Sequence, residues 1–296
     1  MKIIKQNTIL SIVFFILALF QLTAQAKIET VLGSIPLSNN PNIALKVPET
    51  TKPEIILSRS QYVISYNKNN RSPNWVAWKL EANQIGTSGR SNNFMIDNEL
   101  ESFLNQNPAN SHAVDSTEYK GSCFDRGHQI PSADRTDDIA NNEATFLMSN
   151  MIPQTPYLNR VIWEHLEQYT RNVVQQNGKK AYIIAGPIYE LDYGKIGPNK
   201  DIPVPSKNFK IIYFINADQT AKDINSETPT IAVIMPNVLQ DGSSPLNNPQ
   251  RCLAPLINQS SNRMDWQKYV TTIEEVEKES GVSITRTANN FDSDAQ

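Results

Sequence analysis

The most informative segment of the chain reads Asp125-Arg126-Gly127-His128-Gln129-Ile130-Pro131-Ser132-Ala133-Asp134-Arg135. Two aspartates, two arginines and one histidine lie within these eleven residues, in a strand or loop interrupted by glycine and proline. A histidine with an ordinary pKa of about 6.5 can take a proton from water near neutral pH. A nearby arginine can hold a phosphate and offset the charge that builds on it. By composition alone, the segment also fits a structural histidine beside an ordinary Arg–Asp ion pair.

Other classes of catalytic site find little support. The chain contains three histidines and two cysteines, namely His112, His128, His165, Cys123 and Cys252. Zinc sites need three or four such ligands at close spacing, and these are scattered. The Glu164-His165 pair lacks the second histidine of a zinc-peptidase helix. No Gly-x-Ser-x-Gly nucleophile elbow occurs. Composition therefore disfavours a zinc peptidase or serine hydrolase, and it leaves open whether the two cysteines form a disulfide.

The first 26 residues have the features of a signal peptide. Residues 1–5 carry two lysines and no acid, residues 9–22 are mostly apolar, and alanines at 24 and 26 suit cleavage. The apolar run is shorter than the roughly 20 residues that a membrane-spanning helix needs. An uncleaved N-terminal anchor is the alternative. We predict cleavage near Ala26, a secreted or periplasmic location, and no stable membrane association.

The net charge is unusual for a protein that would act on polyanions. Cleavage would lower Lys+Arg from 27 to 25 against 30 Asp+Glu, a net charge of about −5. Proteins that bind nucleic acid without sequence preference usually have a basic surface, because neutralising phosphates supplies most of their affinity. Overall charge therefore counts against such a partner unless basic side chains gather locally in a cleft.

Sequence patterns predict an α+β domain over residues 61–286, between an extended arm (27–60) and a polar tail (287–296). Segments 61–66 and 74–80 are rich in β-branched and aromatic residues and predict a hairpin. Residues 82–121 predict a long surface excursion. Apolar residues at helical spacing predict one helix over 158–175 and another over 264–279, before Gly281. Three apolar strands are predicted at 181–185, 209–215 and 230–235. Strands dominate and the helices are placed irregularly between them, which is typical of an α+β domain rather than of regular βαβ units.

The chain resembles the DNA/RNA non-specific endonucleases of the ββα-metal type. The likeness rests on the Asp-Arg-Gly-His signature at 125–128 and on its extension Pro131-Ser132-Ala133-Asp134-Arg135. It continues through Ala144-Thr145-Phe146-Leu147-Met148-Ser149-Asn150-Met151-Ile152-Pro153-Gln154-Thr155-Pro156, then Leu158-Asn159-Arg160, Trp163, Leu166 and Glu167. The resemblance implies the ββα-metal nuclease fold, with a mixed or antiparallel sheet core flanked by helices.

The resemblance also implies roles for individual residues. His128 would be the general base, and Asn159 would be the one direct protein ligand to Mg²⁺, with Mn²⁺ as an alternative. Glu167 would orient metal-bound water. Arg126 would contact phosphate or a neighbouring carboxylate, and Arg171 would reach the phosphate. The structural alternative for Asn159 is an N-cap or early helix residue, which is compatible with metal binding. The alternative for Glu167 and Arg171, which are i,i+4 neighbours, is a solvated salt bridge.

Three further residues complete the expectation. Arg90 is matched to an arginine that the family carries in the loop after its early strands. Asn150 is expected to brace the active-site turn, and Asp125 to orient a neighbour. The implied activity is phosphodiester hydrolysis of single- and double-stranded DNA and RNA with 5′-phosphate products. An inhibitor protein is left open, and an inactive nuclease-fold protein that binds nucleic acid or a partner is the rival.

Overall fold

The computed structural model of the protein describes residues 28–106, 112–245, 256 and 263–284. The signal peptide and the polar tail predicted from the sequence lie outside the described residues, so both stay predictions. Within the described ranges, no helix is long and apolar enough to cross a membrane.

The described residues form short and long strands with four α-helices between them. The strands are β1 (Ile28–Leu32), β2 (Glu49–Thr50), β3 (Glu54–Ser58), β4 (Val63–Asn67), β5 (Ser72–Leu80), β6 (Asp125–His128), β7 (Met151–Gln154), β8 (Lys179–Ile188), β9 (Lys195–Ile196), β10 (Ile202–Pro203), β11 (Lys207–Asn216), β12 (Thr230–Pro236), β13 (Val270–Thr271) and β14 (Val282–Ser283). The helices are α1 (Asn98–Asn105), α2 (Ile139–Ala144), α3 (Trp163–Gln176) and α4 (Ile273–Ser280).

One eight-stranded sheet organises the fold, in the order β1-β3-β4-β5-β8-β11-β12-β13. The pair β1–β3 is parallel, and the other neighbours are antiparallel. A separate two-stranded ribbon of β6 and β7 carries the Asp-Arg-Gly-His signature. The mixed sheet with a few helices confirms the α+β class.

Both faces of the sheet are covered, as the alternation along β11 shows. Ile212 and Phe214 point into the cluster that contains the buried side of α3, including Trp163 and Leu166. Ile211 points to the opposite cluster, with Val276 of α4. Because a strand of this kind is buried on both faces, its apolar residues run almost without interruption. Lys210 is the exception, and it lies on the α3 side.

Several predicted elements are confirmed. The hairpin exists as β4 and β5, which pair antiparallel. The three apolar strands are β8, β11 and β12, each longer than predicted. Gly281 ends the last helix in a left-handed conformation with φ 66°, a conformation that favours glycine.

Three predictions about secondary structure were wrong. Residues 27–60 are not an arm without regular structure, because they supply β1 and the fully buried β3 to the main sheet. The excursion 82–121 contains α1, whose Leu100 and Leu104 are buried in the core. The single helix predicted over 264–279 is a 3₁₀ turn (Asp265–Tyr269), the short strand β13 and then α4. In each case tertiary pairing overrides a weak local pattern.

Candidate active site

His128 ends the first strand of the β6–β7 ribbon, opposite Met151. The ribbon is tightly packed at Gly127, because a Cβ at this position would collide with the buried side chain of Gln154. The glycine therefore permits the close approach of β6 to β7. His128 is 8% exposed, so its ring lies almost wholly within the protein.

Two phenylalanines contact three of the predicted site residues, namely His128, Arg126 and Arg90. The rings of Phe94 and Phe146 meet edge-on at 5.1 Å, and both meet the ring of His128 edge-on, at 5.6 and 4.8 Å. The guanidinium of Arg126 lies 3.8 Å from the Phe94 centroid, and that of Arg90 lies 4.8 Å from the Phe146 centroid. Two cations thus flank the imidazole on an aromatic support.

This environment keeps the imidazole neutral. Burial, and next the positive charge of Arg90, lower the pKa of His128 from 6.5 to about 3. A hydrogen bond to the backbone of Arg126 opposes this shift, so the ring donates there. Nε2 is buried and has no hydrogen-bond partner among the residues that the structure describes. Because one nitrogen carries the proton, the lone pair of Nε2 is available as a base.

Asn159 is held by Asp125 rather than by the helix it precedes. Its Nδ2 donates to Oδ2 of Asp125 at 2.9 Å. Arg160 donates to both oxygens of the same carboxylate, at 2.7 and 2.6 Å. The orienting role expected for Asp125 is therefore visible as a contact, since its carboxylate fixes which way the Asn159 amide faces.

The backbone around Asn159 departs from the regular helix that the sequence predicted. Residues Leu158–Ile162 form a π-helical turn, and only then does α3 begin. Such turns occur frequently at functional sites, because they widen the helix and re-aim its side chains.

The donor set suits a hydrated magnesium ion. With Nδ2 bonded to Asp125, Oδ1 of Asn159 faces away, and no described donor hydrogen-bonds to it. Within the described ranges, no group of three or more His, Cys, Asp and Glu residues could hold a metal. A cation at Asn159 would therefore keep most of its water, as Mg²⁺ prefers.

The remaining predicted residues, Glu167 and Arg171, lie in a buried cluster of four charges. Lys210 Nζ lies 3.3 Å from Glu167 Oε1, and Arg171 Nη1 lies 3.1 Å from Asp134 Oδ1. Lys210 is 2% exposed and its ammonium lies 4.0 Å from the Trp163 ring centroid. Burial raises the pKa of Glu167, and Lys210 and then Arg171 oppose the rise. The structure thus pairs Arg171 with Asp134 and does not present it as a free phosphate ligand.

Asparagines hold the loops that carry these side chains. Asn150 Nδ2 donates to the carbonyls of Ile130 and Thr145, and its Oδ1 accepts from the Ile130 amide. The bracing role expected for Asn150 is confirmed. Asn142 Oδ1 accepts from the amide of Ser91 at 2.9 Å, which holds the segment beside Arg90 against the active-site loop.

Sequence reasoning missed Phe94, Phe146 and Lys210 as parts of the site. Phe146 lies within the matched block, but nothing in the pattern separates an active-site ring from a core ring. Lys210 carried a detectable signal, since a lysine within an otherwise apolar run of β11 is exceptional. A buried lysine requires a partner, and Glu167 is that partner.

Comparison with known proteins agrees with this geometry. A sequence model of a family described as DNA/RNA non-specific endonuclease matches residues 38–291. The chain belongs to this family. A nuclease from Nostoc sp. is 37% identical over 83% of this chain and 78% of its own length. A nuclease from Serratia marcescens is 30% identical over 68% of this chain and 72% of its own.

Mitochondrial and structural relatives extend the likeness. Mitochondrial endonuclease G from Homo sapiens is 29% identical over 67% of this chain and 64% of its own length. A solved complex of EndoG with EndoGI, described as a mechanism of EndoG inhibition, superposes with a TM-score of 0.59 at 24% identity. It covers 77% of this chain and 84% of the EndoG-complex chain. The predicted ββα-metal nuclease fold is confirmed, and membership implies nucleic acid as substrate and a divalent metal.

The pKa of His128 in this nuclease predicts an unusual titration. Between pH of about 6.5 and about 3, the unfolded chain protonates His128 and the native protein does not. The contribution of this group to stability is therefore present above pH 6.5 and lost as the pH falls. We expect the ring nitrogens to keep neutral chemical shifts at pH 5 in ¹⁵N NMR spectra. A midpoint near 6.5 would contradict the desolvated environment.

The ion pair of Lys210 predicts a large loss of stability for one variant of the nuclease. Lys210→Met leaves the carboxylate of Glu167, which is 11% exposed, without its closest cation. Breaking one partner of a buried pair costs about 3–5 kcal/mol. Lys278→Met is the control, since Lys278 is 74% and its partner Glu275 40% exposed, and exposed pairs contribute about 0–1 kcal/mol. Equal losses in urea unfolding would refute the prediction.

Proposed function

We propose that the protein is an exported, Mg²⁺-dependent endonuclease that hydrolyses phosphodiester bonds in DNA and RNA and leaves 5′-phosphates. Both single- and double-stranded substrates are included. The single observation that carries the proposal is the neutral His128. Among the described residues its buried Nε2 has no hydrogen-bond partner, and its ring packs against the two phenylalanines that support Arg90 and Arg126. Such a site offers a base for water next to positive charge for a phosphate.

In this proposal His128 activates the attacking water. Nε2 accepts a proton while the water oxygen forms a bond to phosphorus, and the bond from phosphorus to the 3′ oxygen breaks. A base with a pKa of about 3 is weak in the free protein. Binding a phosphodiester would raise the pKa of His128, because the phosphate offsets the positive charge of Arg90 and Arg126.

Asn159 would hold the metal through Oδ1, with Asp125 fixing the amide from the other side. When bound, Mg²⁺ supplies positive charge that neutralises the phosphate and stabilises the leaving oxygen. Mn²⁺ is also compatible with a single amide oxygen and water ligands. Glu167 would orient water of this site, while Lys210 keeps its carboxylate in place.

The arginines divide into two groups in the proposal. Arg90 and Arg126 contact the phosphate oxygens and stabilise the charge that grows on them. Arg171 instead pairs with Asp134 inside the buried charged cluster. This pairing replaces the phosphate contact that was expected from the sequence. Side chains that contact only phosphate do not distinguish bases or sugars. This accounts for the proposed action on both DNA and RNA.

Export is proposed from the sequence of the first 26 residues.

A catalytically inactive relative is the second candidate. It is disfavoured because His128 and Asn159 are both present, His128 against the Phe146 ring and Asn159 bonded to Asp125.

Plasmid nicking tests the proposed activity. We expect the wild-type protein to nick and linearise supercoiled plasmid with Mg²⁺ and to stop on addition of EDTA. His128→Ala should lower the rate by about 10²–10⁴-fold, the usual contribution of a general base. His112→Ala is the control, because His112 is half-buried and its closest acid is Glu118 at 3.9 Å. Undiminished cleavage by His128→Ala would overturn the mechanism.

Metal binding tests the role of Asp125. Asp125→Asn should weaken Mn²⁺ binding by about 10–100-fold, the usual cost of removing a group that orients a metal ligand. Electron paramagnetic resonance of free Mn²⁺ measures this affinity without any turnover. Arg160→Ala is the control, because it leaves the contact between Asp125 and Asn159 intact. If both variants bind Mn²⁺ like the wild type, Asp125 does not position the ligand.

A further inference from the structure

A groove of about 580 Å³ lies beside the active site, between residues 117–124 and the β9–β10 hairpin. Its wall includes Phe124, which directly precedes Asp125, the residue that holds Asn159. Phe124 and Tyr193 pack in the same small cluster as Phe94, the ring beneath Arg126. The groove is therefore joined to the active site through shared aromatic packing.

The charge of the groove is positive. Lys120, Lys195 and Lys200 line it, all three are exposed, and none forms an ion pair within the described part of the chain. Glu118 is the one acid among the lining residues that the structure describes, and it contacts Arg71 at 2.7 and 2.8 Å. Arg71 also contacts Asp201 at 2.8 Å, so this trio keeps one net negative charge. Three exposed lysines outweigh that single charge and leave the groove positive on an acidic protein.

The other lining groups also suit a sugar–phosphate strand. Gly121, Gly194 and Gly197 line the groove with positive φ angles of 73°, 72° and 88°, which turns the backbone sharply and leaves no side chain to block approach. Tyr193 and Phe124 are half-buried, so each presents a ring edge or face to the groove. Lysines along a groove with aromatic rings are the combination that binds single-stranded nucleic acid without sequence preference.

We propose that this groove binds the backbone of the substrate strand on one side of the scissile phosphate. The inference rests on the proposed function and adds a second contact region to it. Phosphates a few nucleotides from the cleaved bond contact Lys120, Lys195 and Lys200. Long substrates therefore gain affinity that a single phosphodiester does not.

Binding measurements test the groove without turnover. The protein is titrated into a labelled single strand in EDTA, and binding is followed by fluorescence anisotropy. The strand has about 16 nucleotides, near the upper end of the site sizes known for single-strand-binding OB folds. Replacing all three lysines by alanine should weaken binding about tenfold near physiological salt. The slope of log affinity against log salt should fall by about 2, since each lost phosphate contact of a single strand contributes about 0.7.

Two further variants separate charge from structure. The triple Lys→Arg variant should keep both the affinity and the slope, because it preserves the charges. Lys222→Ala is the matched control, since Lys222 is an exposed lysine that follows the far end of β11, whereas the groove lies near its beginning. Lys195→Ala supplies the single-site comparison. If Lys222→Ala weakens binding as much as Lys195→Ala, the groove has no special role.

Cleavage of two substrates distinguishes failure of this inference from failure of the proposed function. The triple alanine variant should lower kcat/KM about tenfold on the long strand and leave kcat/KM on bis(p-nitrophenyl) phosphate with Mn²⁺ unchanged. Equal kcat/KM on both substrates for variant and wild type would overturn the groove alone. Absence of cleavage by the wild type on either substrate would overturn the proposed function, and the anisotropy result would then still judge the groove.

Discussion

The desolvation of His128 is the constraint on which the rest of the site depends. Two phenyl rings exclude water from the imidazole and two guanidinium groups repel a proton from it. Either factor alone favours the neutral ring, and together they lower its pKa to about 3. The environment that makes the ring neutral also supplies the positive charge that a phosphate needs. A bound phosphate would cancel part of the repulsion, so substrate binding and basicity are coupled at one point.

The buried charges beneath this point serve a different purpose. Asp134, Arg171, Glu167 and Lys210 form two ion pairs, and Trp78 Nε1 donates to the remaining oxygen of Asp134. Removing four charges from water is unfavourable unless each is paired and hydrogen-bonded. We therefore attribute a positioning role to these pairs rather than a large gain in stability. They fix α3 against β5 and β11, and with α3 they fix Glu167. Arg90 also interacts with Glu167: burial lowers the pKa of Arg90, and the negative charge of Glu167 opposes this shift.

The sequence was sufficient for the elements whose pattern is local, and insufficient where distant segments meet. Strands β8, β11 and β12 could be predicted because their apolar runs are long, and α3 because its spacing is helical. Strand β3 could not be predicted, because its short apolar run lies inside a Pro- and Asn-rich stretch. It forms a strand only by pairing with β4. The orientation of the Asn159 amide is of the same kind, because it is set by the Asp125 carboxylate 34 residues away. Resemblance identified His128 and Asn159. Of the two rings around His128, Phe94 lies outside the matched block, and nothing in the sequence separates Phe146 from a core ring.

Net charge gives the clearest case of a global property that misleads about a local one. An excess of acids over bases argues against a polyanionic substrate, yet charge acts over a Debye length of about 8 Å at physiological salt. Glu118 and Asp201 share Arg71, so part of their field at the groove is offset. Within the described residues, Arg90, Arg126 and the three groove lysines form no ion pair. What matters to a phosphate is which charges remain uncompensated within that distance, and sequence composition does not contain this information.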